Sequence, residues 1–227
     1  GFRVVLVGGF NTWFDDESVL AGLLLAMETT PVEVVVCGGP ISGHYEQGFE
    51  RFRAGAMASK FSDRFSFPGW VPHDQLAGIV DTCNVTIMVD RPGPEAELGS
   101  RTRLLYAAHR GLRVLSTTRS PLAAELARRR LIEELPDHMA SVPTLLPDVI
   151  AQRLADGTGG PPREHRIAVE RDFSLRRTAQ SLRVWAMFPT RCPHGPNDSV
   201  AVILSAEVAS LKAELAELRG SPSFRVL

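Results

Sequence analysis

The feature that most constrains this chain is its regular alternation of short apolar runs with segments of helical periodicity. Apolar, mostly β-branched runs predict buried strands at residues 2–7, 32–37, 64–67, 85–89 and 114–116, with a further strand at 138–142. Apolar residues at helical spacing predict helices at residues 15–27, 44–59, 74–81, 101–110 and 121–130. Strands separated by helices pair in parallel, and helices then cover both faces of the sheet. We therefore predict an α/β fold, a Rossmann-like doubly wound parallel sheet with helices on both faces, followed by a C-terminal helical extension.

The last third of the chain departs from this alternation. A Gly/Pro-rich hinge at residues 156–162 precedes an amphipathic segment at 173–188. Beyond it, apolar residues step by four and three, as in a short coiled-coil seam, at Leu204, Val208, Leu211, Leu215 and Leu218. We predict a Rossmann-like domain at 1–155, a linker and helix packing back on it at 156–198, and a coiled-coil-like helix at 199–227. Whether that helix docks on the domain, self-associates or contacts a partner stays open.

Bulk composition excludes several classes of function. The formal net charge is -1, so no nucleic-acid partner is expected, and no run approaches the roughly 20 apolar residues of a membrane span. Cys37, Cys83 and Cys192 form no CxxC or Cys/His cluster, which argues against a disulfide framework or a metal site. We expect a cytoplasmic protein, free or peripheral at the inner membrane, that needs no cofactor. Because Gly1 begins directly in a strand-like run, the chain is also expected to be the C-terminal part of a larger protein.

A glycine turn, Gly8-Gly9, follows the first predicted strand. Ligands of parallel sheets bind beyond the carboxyl ends of the strands, so the backbone N–H groups of this turn could hold a phosphate. The turn is not GxGxxG, and glycine replaces the acid expected after the second strand, which argues against a dinucleotide. No GxxxxGK[ST] loop is present either. A phosphate site and an ordinary tight turn therefore stay open as interpretations.

Two arginines, Arg101 and Arg103, stand at the start of the helix predicted at 101–110. Arginine can hold phosphate oxygens with two parallel hydrogen bonds, so this pair suits a diphosphate. Cations in a first helical turn oppose the helix dipole, which favours an anionic partner. In the alternative interpretation, both arginines are solvated or paired with Glu95 and Glu97.

Aromatic residues also lie at the expected ligand edge. Trp13 follows the glycine turn and could stack on a base or sugar, although packing on its own domain is an equal alternative. Trp70 and Val71 follow the third strand, where backbone groups could contact a nucleobase. The isolated histidines are interpreted as structural or surface residues; they are His44, His73 and His109.

Several segments occur in an order and at a spacing typical of one known family. They are residues 5–15 (VLVGGFNTWFD), 69–72 (GWVP), 100–114 (SRTRLLYAAHRGLRV), and 172–174 (DFS) with 221–225 (SPSFR). In these segments the chain resembles the donor-binding C-terminal half of glycosyltransferases with the GT-B architecture. The likeness is to the family-4-like group of bacterial polysaccharide enzymes, and it extends over nearly the whole chain.

The resemblance implies roles for the candidate residues. Gly8 and Gly9 would lie against the diphosphate of the donor, and Val71 would contact its base through the backbone. The implied catalytic groups, which act without a metal, are Arg101, Arg103 and Glu97, with Glu95 as the alternative acid. The implied donor site is completed by Asn11, Trp13, Trp70, Ser100, Thr102 and Tyr106.

The chain departs from the family's pattern at three places. Tyr106 stands where the family has a second acid that holds the ribose, and Arg113 replaces a proline before the fifth strand. Asn11 and Trp13 occupy the neighbourhood in which the family often has Arg and Lys. These departures predict an altered ribose contact and a divergent donor site.

The function implied by the resemblance is half of a sugar transfer. A sugar would pass from a nucleotide-diphosphate sugar to a glycan or other acceptor, in polysaccharide or cell-envelope biosynthesis. The acceptor would bind a separate N-terminal domain, without which little or no transfer is expected. Two alternatives stay open: a non-catalytic interaction domain, and a GT-B relative such as a nucleotide-sugar epimerase or a phosphorylase.

Overall fold

The computed structural model describes residues 1–40, 43, 46–136, 141–156, 163–187, 208–209 and 212–213. The chain divides into two compact units, Gly1–Arg177 and Thr178–Leu227. Within the described residues, no helix is long and apolar enough to cross a membrane.

A six-stranded parallel sheet forms the first unit. Its strands are β1 (Arg3–Val7), β2 (Glu33–Cys37), β3 (Phe65–Ser66), β4 (Val85–Met88), β5 (Arg113–Ser116) and β6 (Glu133–Glu134). They lie in the order β3-β2-β1-β4-β5-β6. The chain therefore builds outward from β1 in one direction and then returns to add β4 on its other side. The resulting switch point between β1 and β4 is where open α/β sheets bind ligands.

The helices predicted near 15–27, 44–59, 74–81, 101–110 and 121–130 are present, and the structure contains further helices. The helices are α1 (Asp16–Thr29), α2 (Gln47–Ala58), α3 (His73–Val80), α4 (Pro94–Leu98), α5 (Thr102–His109), α6 (Pro121–Arg128), α7 (Val142–Ala155), α8 (Arg163–Asp172), α9 (Leu175–Thr178) and α10 (Gln180–Met187). A short 3-10 turn, Ser62–Arg64, precedes β3.

The two faces of the sheet carry two separate apolar clusters, because successive strand residues point to opposite sides. Val4 packs in one cluster with Leu23 of α1 and Leu146 of α7. Val5 packs in the other with Leu104 of α5 and Leu126 of α6. The predicted Rossmann-like sheet with helices on both faces is thereby confirmed.

Three predicted elements differ from the structure. Residues 138–140 of the strand predicted at 138–142 lie outside the described residues, and its last residue, Val142, instead begins α7 and packs with Leu146 and Ile150 as one buried helical stripe. The sixth strand is instead Glu133–Glu134, a two-residue edge strand without an apolar pattern. The predicted loop after β4 contains helix α4, and the amphipathic segment is divided into α9 and α10. The hinge at 157–162 and most of the predicted coiled-coil seam lie outside the described residues.

Candidate functional site

The glycine turn after β1 packs directly on the end of β2. The Gly8 amide donates a 2.7 Å hydrogen bond to the carbonyl of Cys37, and Gly8 has a φ of +97°. A side chain on Gly38 would collide with the Gly8 carbonyl, so both positions need glycine for close approach. The predicted tight turn therefore exists, and its backbone lies at the carboxyl edge of the sheet beside the switch point.

The loops after β1 and β4 are joined across this switch point. Phe14 and Asp90 form an antiparallel bridge. The Asp15 amide donates to the Val89 carbonyl at 2.8 Å, and the Arg91 amide donates to the Trp13 carbonyl at 2.6 Å. These hydrogen bonds fix Trp13 in position relative to the end of β4.

A buried cluster of charges holds the start of α1 against the same loop. Asp16, whose side chain is almost fully buried, accepts hydrogen bonds from Arg51 of α2 and from Arg91, the latter at 2.8 Å. Burial raises the pKa of Asp16, and the two arginines oppose that rise. The Asp15 side chain caps α1 by accepting from the Ser18 amide. The loops that surround the candidate site are thus anchored by ion pairs as well as by backbone hydrogen bonds.

Arg101 is held inside the protein by three contacts. Its Nε atom lies 3.0 Å from Oδ2 of Asp90, and its Nη2 atom donates to the Glu95 carbonyl at 2.9 Å. Its guanidinium carbon is 4.0 Å from the centre of the Trp13 ring, a cation–π contact. The residue is 5% exposed. Arg101 therefore already has a counterion, which is not Glu95 or Glu97 as the alternative interpretation proposed.

Arg103 has a different environment. Its guanidinium group lies against Gly8, where a methyl group would overlap it, and Nη1 donates to the Gly9 carbonyl at 3.2 Å. No carboxylate of the described residues forms an ion pair with it. Burial lowers the pKa of Arg103 and Arg101 lowers it further, whereas Asp90 raises it. Arg103 is thus a half-buried cation without an ion-pair partner in the described structure.

Asp90 is the charged residue of this site that the sequence analysis did not select. It lies two residues after the end of β4, it is 1% exposed, and its Oδ1 atom has no hydrogen-bond partner among the described residues. Burial raises the pKa of Asp90 more than the guanidinium groups of Arg101, Arg119 and Arg103 lower it. One carboxylate therefore faces several arginines, which leaves an excess of positive charge. An acid placed shortly after a buried strand was the signal that could have identified it.

The predicted site residues are distributed over three hollows along the sheet edge. A groove of about 620 Å³ is lined by seven of them: Asn11, Trp13, Glu95, Ser100, Arg101, Thr102 and Arg103. Gly8, Gly9 and Tyr106 surround a small cavity of about 20 Å³, to which Arg103 also contributes. Trp70 and Val71 line a third hollow of about 200 Å³ that shares Gly8. Arg103 and Gly8 are therefore the residues that connect the three.

The candidates around these hollows differ in their exposure and in their hydrogen bonds. Glu97 is exposed on α4 and does not line the groove, whereas Glu95 accepts a 2.7 Å hydrogen bond from Thr12 across it. Trp70 is 58% exposed and donates to the Pro40 carbonyl at 3.2 Å. The Tyr106 hydroxyl is buried without a partner in the described part of the chain.

Of the isolated histidines, His73 lines the hollow that contains Trp70 and Val71. The His73 ring lies 5.7 Å from the ring of Tyr106, and His109 lies 3.7 Å from Glu170 of α8. His44 is outside the described residues.

Comparison with known proteins identifies the fold. No family model matches the sequence, and no curated protein matches it. Among solved structures, the C-terminal domain of the glycosyl transferase group 1 family protein LpcC from Francisella tularensis matches with a TM-score of 0.63 at 8% identity, over 77% of this chain and 87% of that one. HepE from Anabaena, in complex with UDP-glucose, matches with a TM-score of 0.65 at 15% identity, over 82% and 49%. Sucrose-phosphate synthase from Thermosynechococcus elongatus matches with a TM-score of 0.57 at 18% identity, over 82% and 46%.

The chain spans about half the length of the last two of these enzymes and most of the isolated LpcC domain. The likeness is one of architecture, since the identities are low. This chain has the fold of the C-terminal domain of GT-B glycosyltransferases.

Proposed function

We propose that this chain is the donor-binding half of a glycosyltransferase, which takes a sugar from a nucleotide-diphosphate sugar for transfer to a glycan or other acceptor. The pathway that we propose is polysaccharide or cell-envelope biosynthesis. The observation that carries the proposal is the position of Arg103. It is a half-buried cation that rests on the glycine turn at the switch point, next to a second arginine and without an ion-pair partner among the described residues. Such an arrangement is stabilised by a bound anion.

A bound diphosphate would also give the arginines at this edge of the sheet a role in the sugar transfer. Negative charge develops on the departing nucleotide diphosphate as the bond to the sugar breaks, and prepositioned cations stabilise that charge. Arg103 would contact the diphosphate. Arg101, fixed by Asp90, would hold the first turn of α5 and the Trp13 ring in place. Glu97 and Tyr106 would complete the donor site at its margins. The acceptor, and any base that activates it, would belong to an N-terminal domain outside this chain.

A second candidate function is a non-catalytic interaction domain derived from such an enzyme. It is favoured by the way the site is filled: Arg101 is neutralised by Asp90, and the Trp13 ring lies over both guanidinium groups, at 4.0 and 5.6 Å. A site of this kind would be rigid without a ligand and would serve only as a scaffold.

Isothermal titration calorimetry of the whole chain at low ionic strength separates the two functions. The titrants are UDP, GDP and dTDP, their sugar conjugates, and the matching nucleoside monophosphates. The proposal predicts weak binding that is tighter for at least one diphosphate than for its monophosphate. Absence of heat with every titrant, while circular dichroism shows a folded protein, would favour the scaffold.

A further inference from the structure

A dense patch of arginines lies where the end of α6 meets the end of α8. It is formed by Arg128, Arg129, Arg130, Arg171, Arg176 and Arg177, and all six side chains are exposed. Two carboxylates lie among them. Glu125 contacts Arg128 and Arg129, and Asp172 contacts Arg129 and Arg171 at 2.8 Å each. Six cations and two anions leave a formal charge of +4 in a chain whose net charge is -1.

Shared carboxylates link Arg128, Arg129, Arg171 and Arg177, and the exposed residues Arg130 and Arg176 adjoin them in the sequence. Arg129 reaches Asp172 across the two helices and lies 5.3 Å from the ring of Phe173. Arg129, Arg171 and Arg177 all lower the pKa of Asp172, to about 2. The exposed residue Ile167 lies one helical turn before Arg171 on α8 and adds an apolar side chain beside the charges.

The arginines at the end of α6 lie away from Gly8 and Arg103, although Phe173 shares a hollow with Tyr106. Helix α6 starts at the carboxyl edge of the sheet, where Ser120 caps it, and runs back toward the amino edge. Its last residues therefore lie at the edge opposite Gly8 and Arg103. An anion bound at the donor site cannot account for this accumulation of charge.

We propose that this arginine patch binds the surface of a membrane rich in anionic lipids. Clustered Arg residues are attracted to anionic headgroups, and an exposed apolar side chain beside them can enter the interface. Single-stranded nucleic acid fits less well, because the aromatic ring within the patch, Phe173, is already covered by Arg129 instead of being free to stack on a base. The patch would orient the domain with its opposite edge, and hence the proposed donor site, away from the lipid.

Vesicle co-sedimentation of the whole chain tests the proposal. Vesicles of phosphatidylcholine alone are compared with vesicles that also contain phosphatidylglycerol, at increasing NaCl. We expect binding only to the anionic vesicles, weakening as salt rises because the attraction is screened. The double variant Arg130→Glu with Arg176→Glu removes two positive charges and adds two negative ones. It should bind at least about 25-fold more weakly, from roughly 5-fold for each positive charge lost near the surface.

The matched control is Arg53→Glu with Lys60→Glu. Both cations are exposed, they lie in the segment before the edge strand β3, and their replacement changes the net charge by the same amount. It should bind the vesicles as the unchanged protein does. Both variants are first shown to be folded by thermal unfolding. Equal losses in the two variants, binding that does not require phosphatidylglycerol, or binding to soluble heparin or to an oligonucleotide but not to vesicles would overturn the proposal.

Discussion

The guanidinium group of Arg103 lies against the Cα atom of Gly8, in the space that a side chain at position 8 would need. The two residues belong to different elements, the turn after β1 and the first turn of α5. Their contact brings a cation to the glycine turn at the switch point, where Arg103 donates to the Gly9 carbonyl. The proposed affinity of this edge for a diphosphate depends on that relationship.

Replacement of Gly8 by alanine tests how strictly the contact is required. The φ of +97° is unfavourable for alanine, and the new methyl group would displace Arg103. We expect Gly8→Ala to lower the free energy of unfolding by about 1–3 kcal/mol, measured by urea denaturation. Gly78→Ala is the matched control, because Gly78 lies in α3 with no atom near its Cα that a methyl group would meet. That change should leave stability equal or raise it by about 0.5–1 kcal/mol. Equal effects of the two would contradict the contact.

Replacement of Arg103 by methionine separates binding from stability. Methionine keeps much of the apolar length but removes a half-buried charge that is repelled by Arg101 and costs energy to desolvate. We expect the free energy of unfolding of Arg103→Met to be unchanged or higher, while diphosphate binding falls about 10- to 100-fold with loss of a charged hydrogen bond. Urea denaturation and calorimetry measure the two quantities. Arg53→Met, on the exposed side of α2, should change neither. A large loss of stability at Arg103 would show that the residue is structural.

Most of the sheet could be predicted from the sequence because its central strands carry long apolar runs. Val34, Val35 and Val36 of β2 are buried, and a continuous run of this kind predicts a buried strand from the local sequence alone. Strand β6 could not be predicted, because two glutamates have no strand pattern of their own. Its position depends on backbone pairing with β5 and on ion pairs from Glu133 to Arg113 and Arg153.

The candidate site was predictable only in part, for a similar reason. The sequence placed Arg101 and Arg103 together at a helix start, but not which of them has a counterion. That distinction depends on Asp90, eleven residues before Arg101, and on the glycine turn, 94 residues before Arg103. Contacts over such separations follow from the strand order, which a local pattern does not contain.

The raised pKa of Asp90 gives a prediction about pH. The folded protein holds a proton on Asp90 more tightly than the unfolded chain, whose ordinary Asp pKa is 3.8. Ionisation of Asp90 therefore favours unfolding, and its effect is absent below 3.8 and grows as pH rises through the higher folded pKa. We expect the free energy of unfolding of the unchanged protein to fall relative to that of Asp90→Asn over this range.

Chemical denaturation of both proteins from acid to neutral pH measures this difference. Loss of the bond to Arg101 in Asp90→Asn adds an offset, but the variant has no group at position 90 that titrates. Only the change with pH is therefore compared. If the free energy of unfolding of the unchanged protein instead rises relative to that of Asp90→Asn as pH rises, pairing with the arginines outweighs burial.

The Trp13 ring decides between the two candidate functions. In the donor site that we propose, the ring holds Arg101 by a cation–π contact at 4.0 Å and forms one wall of the groove beside Arg103. Trp13→Ala removes that support, so we expect nucleotide-diphosphate affinity to fall about 3- to 30-fold, in line with cation–π energies of roughly 0.5–2 kcal/mol. Trp13→Phe keeps an aromatic face and should lose less. If instead the ring blocks a site that no longer binds donors, Trp13→Ala would open the groove and raise the affinity. Calorimetry of the three proteins with the same UDP and GDP series therefore separates an ordered donor site from a filled one by the sign of the change.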